Sequence, residues 1–243
     1  MPILTPEQLT GRVSTHVLEV PQLSCRLHAD AATAFLALAR QAAHDGIDLA
    51  ATSSFRPFAR QLAIWNAKFH GRQALLDRTG QPVDVRGLDE EQIVRAILLW
   101  SALPGASRHH WGTEVDVYDR AVLAPPARPR LLPQEYAAEG AFAPLSAWLS
   151  RHCARYGFFR PYDSDRGGVQ PEPWHLSFAP VAGAALPALT LQVLAEALRD
   201  GEPAGDALAG AATVQRLLPE IHERYVLRVA AAELPVSRAA RLS

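Results

Sequence analysis

Two stretches decide how this chain is read: Ser107-Arg108-His109-His110-Trp111-Gly112-Thr113-Glu114-Val115-Asp116 and, further on, Glu172-Pro173-Trp174-His175. Zinc accepts imidazole nitrogen and carboxylate oxygen, and a catalytic zinc keeps three protein ligands and one open position. His109, Asp116 and His175 fill three places, and Glu172 stands close enough in sequence to His175 to act on a water in the fourth. The spacing of His109 and Asp116 is wrong for two ligands on one helix face. It suits a loop ligand converging with a strand ligand, with Gly112 permitting the sharp path between them. On a strand over 113–118, Val115 and Val117 face one way and Glu114 and Asp116 the other. Glu172 and His175 have opposite parity on a regular strand, so Pro173, which cannot donate to a ladder, is expected to bend the chain there. A lone histidine is more often structural than a ligand, and for the first stretch alone that plainer reading would win. The second stretch reverses the balance. His110 is expected beside the site or at the surface, because neighbouring residues rarely reach one metal.

The rest of the chain sets bounds. Its 243 residues are 49% hydrophobic, enough for a substantial core, and its formal net charge is −1. That balance offers no footing for a polyanion, and no basic stripe points to nucleic acid. No apolar run is long enough for a membrane span. The N-terminal residues lack a basic segment followed by an apolar run, so no signal peptide is read and the cytoplasm is the default compartment, with the periplasm as the alternative. Cys25 and Cys153 make neither a disulfide framework nor a zinc pair and are expected to be reduced and at least partly buried.

Periodicity and punctuation place the elements. Thr5 caps a first helix with Pro6 inside it, and Asp30 caps a helix over 31–44. Residues 47–52 read as a strand, and Pro57 opens a helix carrying Arg60, Gln61, Ile64 and Trp65. Residues 70–88 form a long loop with a short hairpin. Asp89 caps a helix over 90–101, and 113–118 alternates as a strand. Residues 120–133 are a surface insertion, followed by a helix over 142–153, a strand at 158–159 and another over 172–178. From about 182 the chain turns to alanine- and leucine-rich helix, over 188–199 and 206–231. The expected fold is α+β, a small antiparallel sheet carrying the zinc site and flanked by helices. A domain carrying the zinc site is read over 1–181, and a helical extension packed on its core over 182–243.

The two opening stretches resemble the signature of the VanY/VanX-type D-alanyl-D-alanine metallopeptidases. These belong to a zinc-peptidase group that includes lysostaphin-type enzymes and the hedgehog signalling domain. Ser107, His109, Asp116, Glu172 and His175 match that signature in order and spacing, and Ser53-Ser54-Phe55-Arg56 matches the family's arginine-bearing segment. The resemblance covers roughly residues 30–180. It implies that His109, Asp116 and His175 bind zinc and that Glu172 is the general base for zinc-activated water. It further implies that Arg56 stabilises the oxyanion and that Ser107, with Gln61 a helical turn beyond Arg56, faces the substrate. Two neutral imidazoles and one carboxylate would leave the zinc a single net positive charge, suited to an anionic intermediate.

The implied activity is D-alanyl-D-alanine carboxypeptidase action on a peptidoglycan-derived peptide. A D,D-dipeptidase, an L-alanyl-D-glutamate endopeptidase and a non-catalytic zinc-containing binding domain stand as alternatives. Glu114 departs from the small residue frequent at its position in the family. It is expected either to hold a hydrogen bond behind the metal or to narrow the pocket and repel a substrate carboxylate.

Overall fold

The central strand of the protein is the one that carries Asp116. In the computed structural model, which describes residues 4–124, 126–199 and 207–232, α1 (Pro6–Leu9) leads into a hairpin of β1 (Val17–Val20) and β2 (Cys25–His28). Then come α2 (Ala29–His44), β3 (Leu49–Ser53), α3 (Phe58–Phe69), the short pair β4 (Leu75–Leu76) and β5 (Pro82–Val83), and α4 (Glu90–Leu98). The strand β6 (Glu114–Asp119) follows, with α5 (Pro133–Tyr136), α6 (Ala143–His152), β7 (Phe158–Phe159) and β8 (His175–Phe178). Three helices close the described chain: α7 (Ala179–Ala188), α8 (Leu191–Arg199) and α9 (Ala211–Ile221). The main sheet runs β3-β6-β8-β7, every pair antiparallel. This is the α+β arrangement expected, a small antiparallel sheet flanked by helices.

The sheet has one apolar face and one polar face. Val115 and Val117 of β6 and Leu176 and Phe178 of β8 point into a core built with Phe35 and Leu38 of α2 and Leu145 and Leu149 of α6. Fully burying side chains of this size contributes roughly 1.5–3 kcal/mol each. Cys25 and Cys153 lie in the same core, both free and buried. Burial pushes the Cys25 thiol up to about 11, with Glu19 adding to it.

A second core lies beyond the sheet, where Trp65 of α3 and Val94 and Ile97 of α4 meet Leu194, Val214 and Leu218 of the C-terminal helices. Trp65 Nε1 donates to the Ala209 carbonyl at 3.0 Å. Asn66 accepts from the Ala209 amide at 2.9 Å and donates to the Ala207 carbonyl at 2.9 Å. Arg95 forks onto Glu220 at 2.7 and 2.9 Å. The chain after 181 is thus packed through α3 and α4, the helices that also border the site.

Several local readings change. His28, not Asp30, caps α2: β2 runs directly into the helix and His28 Nδ1 accepts from the Asp30 amide at 3.3 Å. Asp30 sits in the first turn, where its charge suits the helix dipole. The helix read over 188–199 is α8, from Leu191, and a separate helix over Ala179–Ala188 precedes it, starting directly at the end of β8. The helix read over 206–231 is α9 followed by wider turns over His222–Leu227; residue 206 lies outside the described residues. The segment 172–178 is a strand only from His175, because Glu172-Pro173-Trp174 forms a turn in which the Glu172 carbonyl accepts from the His175 amide at 3.1 Å.

Candidate metal centre

Register builds this site. Across the β6–β8 pair, Asp116 stands opposite His175 and Glu114 opposite Ser177. Both pairs fall on the polar face, because side chains two residues apart on a strand share a face. A slip of one residue would put the valines there instead. His109 arrives from a tight turn over Arg108–Trp111 that ends at Gly112, whose φ is +68°. A Cβ at Gly112 would come within 2.4 Å of Val17 Cγ1 and 2.9 Å of the His28 amide nitrogen. Only glycine accepts both the left-handed backbone and that close approach.

His109, Asp116 and His175 offer ligand atoms that all lie within 4.8 Å of one another, and all three residues are buried. His109 Nδ1 lies 2.8 Å from the Ser54 carbonyl oxygen. A carbonyl only accepts, so Nδ1 carries the proton and the Nε2 lone pair faces Asp116 Oδ2 at 3.2 Å. His175 repeats the logic with its nitrogens exchanged. Nε2 lies 2.7 Å from Glu114 Oε2, and Nδ1 lies 3.1 Å from Asp116 Oδ1 and 3.2 Å from Glu172 Oε2. Asp116 Oδ1 is buried without a hydrogen-bond partner.

The neutral His109 Nε2 lone pair aimed at an Asp116 oxygen is repelled unless a cation lies between them. This donor set therefore fits a divalent metal held by His109 Nε2, Asp116 and His175 Nδ1. Two nitrogens and a carboxylate match the ligand preference of zinc.

The charges around the donors agree. Burial opposes ionising Asp116, but the two imidazoles outweigh it and hold the carboxyl well below the usual range. Burial lowers His109, with Asp116 only partly offsetting it, so its imidazole stays neutral. Burial also works against charging His175, yet the carboxylates of Asp116, Glu114 and Glu172 overcome it and raise His175 well above the imidazole range. Three carboxylates around one imidazole are an excess of negative charge that a bound cation relieves.

Glu114 stands behind the metal donors and does not line the cleft. It is fully buried, accepts from Ser177 Oγ at 2.7 Å and from Thr113 Oγ1 at 2.8 Å, and pairs with Arg108 Nη2 at 3.4 Å. Burial pushes its carboxyl up, but Arg108 and His175 win and bring it to about 2. A carboxylate that receives the outer N–H of a metal-binding histidine fixes both tautomer and ring orientation. Of the two roles read for Glu114, the hydrogen bond behind the metal is the one the geometry carries.

The remaining residues read from sequence fall at different depths. Arg56, Ser107, Glu172 and the three donors line one cavity of about 250 Å³. Arg56 Nη1 donates to Gln61 Oε1 at 2.8 Å and Nη2 to Ser53 Oγ at 2.9 Å. Gln61 does not reach the cleft. It is fully buried and spends its amide on the Ala102 carbonyl at 2.7 Å, so it supports Arg56 and does not meet substrate. His110 is not exposed either: Nδ1 donates to the Arg56 carbonyl at 2.6 Å and Nε2 accepts from the Gly105 amide at 3.1 Å. Burial drives His110 down to about 3, so it acts as a neutral staple for the backbone of Arg56.

Lys68, Trp100, Ser101, Arg130, Tyr162 and Trp174 also line the cavity. Sequence reasoning passed over Lys68 although it follows Ile64 at helical spacing. The signal lay in α3 itself, whose Gln61, Ile64 and Lys68 share one face.

Similarity to known proteins agrees with this geometry. Residues 24–181 match the model of the family described as VanY, D-alanyl-D-alanine carboxypeptidase. The chain belongs to the VanY family. The match ends where α7 has just begun, and it contains every donor and cleft residue named from sequence. Two relatives are uncharacterised proteins of Haemophilus influenzae (strain ATCC 51907 / DSM 11121 / KW20 / Rd). One is 44% identical over 103 residues, 41% of this chain and 70% of the relative. The other is 32% identical over 127 residues, 51% of this chain and 93% of the relative. Among solved structures, VanYB in complex with D-alanine-D-alanine shares the fold, with a TM-score of 0.50 at 20% identity, over 79% of this chain and 92% of that one. A mutant of the vancomycin-resistance D,D-pentapeptidase VanY in complex with Zn(II) aligns over 76% of this chain and 90% of that one, with 20% identity and a TM-score of 0.49. Membership of the VanY family makes this chain a peptidase of the peptidoglycan-acting kind.

Proposed function

We propose that the protein is a zinc-dependent D-alanyl-D-alanine carboxypeptidase. The observation that carries this is the convergence of His109, Asp116 and His175, with Glu172 and Arg56 on the wall of the same cavity. When bound, zinc supplies Lewis acidity to the attacking water and to the scissile carbonyl. Glu172 takes the proton from the water as it attacks and returns it to the amine that leaves. Arg56, held at one nitrogen by Gln61 and at another by Ser53, donates to the carbonyl oxygen as it becomes an oxyanion. Ser107 at the cleft wall is placed to hydrogen-bond the peptide. Glu114 keeps His175 in the tautomer that leaves Nδ1 free for the metal.

D,D-dipeptidase and L-alanyl-D-glutamate endopeptidase activity would use the same machinery, and product analysis separates them. A binding protein without turnover would have no use for Glu172 beside His175 or for a doubly anchored Arg56.

The test is metal content together with release of D-alanine from a muropeptide ending in D-Ala-D-Ala, with and without a chelator. One zinc per chain with chelator-sensitive release is the expected result. Glu172→Gln should keep the zinc and lose about 10²- to 10⁴-fold in turnover. Zinc without release of D-alanine from any D-Ala-D-Ala peptide would overturn the carboxypeptidase reading.

A further inference from the structure

Lys68 is a cation of the cleft that the mechanism leaves unused. It projects from α3 on the face shared by Gln61 and Ile64, and it lines the cavity with Arg56 and Glu172. Its Nζ donates to Ser101 Oγ at 2.6 Å. Among the described residues no carboxylate lies within ion-pairing distance of it. An ammonium has three donors, so two remain for a ligand. Arg130 lines the same cavity, and its side chain likewise has no ion pair among the described residues.

The remaining charges point the same way. Arg108 is spent on Glu114 and Ser177. Asp116 and Glu172, against Arg56, Lys68, Arg130 and a divalent metal, leave the cleft markedly positive. Its missing partner is an anion. Arg56, fixed by Gln61 and Ser53, is committed to the reacting carbonyl, so a second anion falls to Lys68.

We propose, building on the carboxypeptidase reading, that Lys68, with the Ser101 hydroxyl it bonds and with Arg130 on the wall of the same cavity, is the receptor for a substrate carboxylate and sets the preference for a peptide that carries one. The free α-carboxylate of the C-terminal residue and a side-chain carboxylate on the acyl side share this chemistry. A polar trough of about 340 Å³, lined by Ser24, Thr52, Ser53, Ser54 and Arg60, adjoins the cleft through Arg56 and Ile64 and gives the acyl side room away from Lys68. The C-terminal carboxylate is therefore the expected occupant.

Lys68 does not earn its place by stabilising the fold. Burial is the largest influence on it, and despite Glu172 its ammonium is pulled down to about 8. Folding thus works against its charge, and Lys68→Met should fold at least as well as the parent chain.

The test uses zinc-loaded Glu172→Gln protein, in which the ligand stays intact, and measures calorimetric affinity with and without Lys68→Met. The ligands are an N-acetylated peptide ending in D-Ala-D-Ala, its C-terminal amide, and versions with glutamate or glutamine on the acyl side. A charge-assisted hydrogen bond predicts a loss of about 10- to 100-fold. Amidating the C-terminus should cost the Lys68 protein that factor and the Lys68→Met protein nearly nothing, with Lys68→Arg recovering part of it. If only the exchange of glutamate for glutamine shows this dependence on Lys68, the receptor stands and its carboxylate is the side-chain one. Equal losses for acid and amide on Lys68→Met, no loss at all, or no binding by any form would overturn the proposal. Turnover by the unmodified zinc protein is measured in parallel: hydrolysis that ignores Lys68 sinks the receptor and spares the carboxypeptidase reading, whereas Lys68-dependent binding without hydrolysis does the reverse.

Discussion

The two faces of the β6–β8 pair share a backbone and almost nothing else. On one face Val115, Val117, Leu176 and Phe178 enter an apolar core in which any hydrophobic side chain of the right volume would serve. On the other, Glu114, Asp116, His175 and Ser177 form a buried polar array in which Glu114 is bonded to His175 and Ser177 while Asp116 Oδ1 is left for a metal. The first face supplies stability and tolerates variation. The second gives specificity of geometry, and there a single deletion strands a buried charge. The lesson is that rigidity at the metal donors comes from two different kinds of packing, one on each side of the same two strands.

The sharpest way to separate the faces is to damage each in turn. Phe142→Ala, in the apolar core, should cost about 3–5 kcal/mol in denaturant unfolding and leave the zinc affinity of the folded protein unchanged. Glu114→Ala should also destabilise by about 3–5 kcal/mol, because Arg108 is left buried and unpaired. Unlike Phe142→Ala it should weaken zinc binding about 10- to 100-fold, since His175 loses its hydrogen-bond partner. Pairing Arg108→Met with Glu114→Gln should recover much of the stability without recovering zinc affinity. Metal competition titrations that found affinity restored would break the distinction between the two faces.

A smaller effect is expected one step further from the metal. Gln61→Leu removes a support of Arg56 while leaving the cleft wall intact, and should lower kcat by about tenfold with little change in KM, the value of one hydrogen bond to a charged group. A change confined to KM would show instead that Gln61 meets substrate.

The mildest effect is pH-dependent. Burial brings the Lys68 pKa down to about 8, with Glu172 opposing the fall and Arg56 adding to it. Affinity for a substrate carboxylate should fall as pH rises through about 8, and this fall should vanish in Lys68→Met. Stability runs the opposite way. A lysine whose pKa is lowered by folding binds fewer protons when folded, so the Lys68 contribution to stability grows as pH rises above about 8. Parallel melting and binding series across that range check both signs.

Legibility varied with the kind of signal. The alternation of Glu114-Val115-Asp116-Val117 told which side chains are buried in the core and which turn to the site, and the sheet obeys it. Capping at Thr5 and Asp89 was equally plain, each with the reciprocal glutamine three residues on. Gln61 was misplaced and His110 was left between two readings, because a polar side chain at helical or loop spacing looks the same whether it meets water, substrate or a neighbouring residue. Glu172 was assigned to the strand because Pro173 marks a bend without giving its direction.

By itself the sequence picked out the candidate donor set, the strand parity that sorts Asp116 from its flanking valines, and the glycine that lets His109 turn toward them. These are local properties, set by side-chain chemistry and backbone geometry over a few residues. Only the tertiary structure decided that Glu114 holds His175, that Gln61 and His110 hold Arg56, and that Lys68 stands in the cleft with no carboxylate in ion-pairing reach among the described residues. Each of those depends on which distant segment supplies the partner, and that is settled by how α3, the Arg108–Trp111 turn and β8 pack around β6.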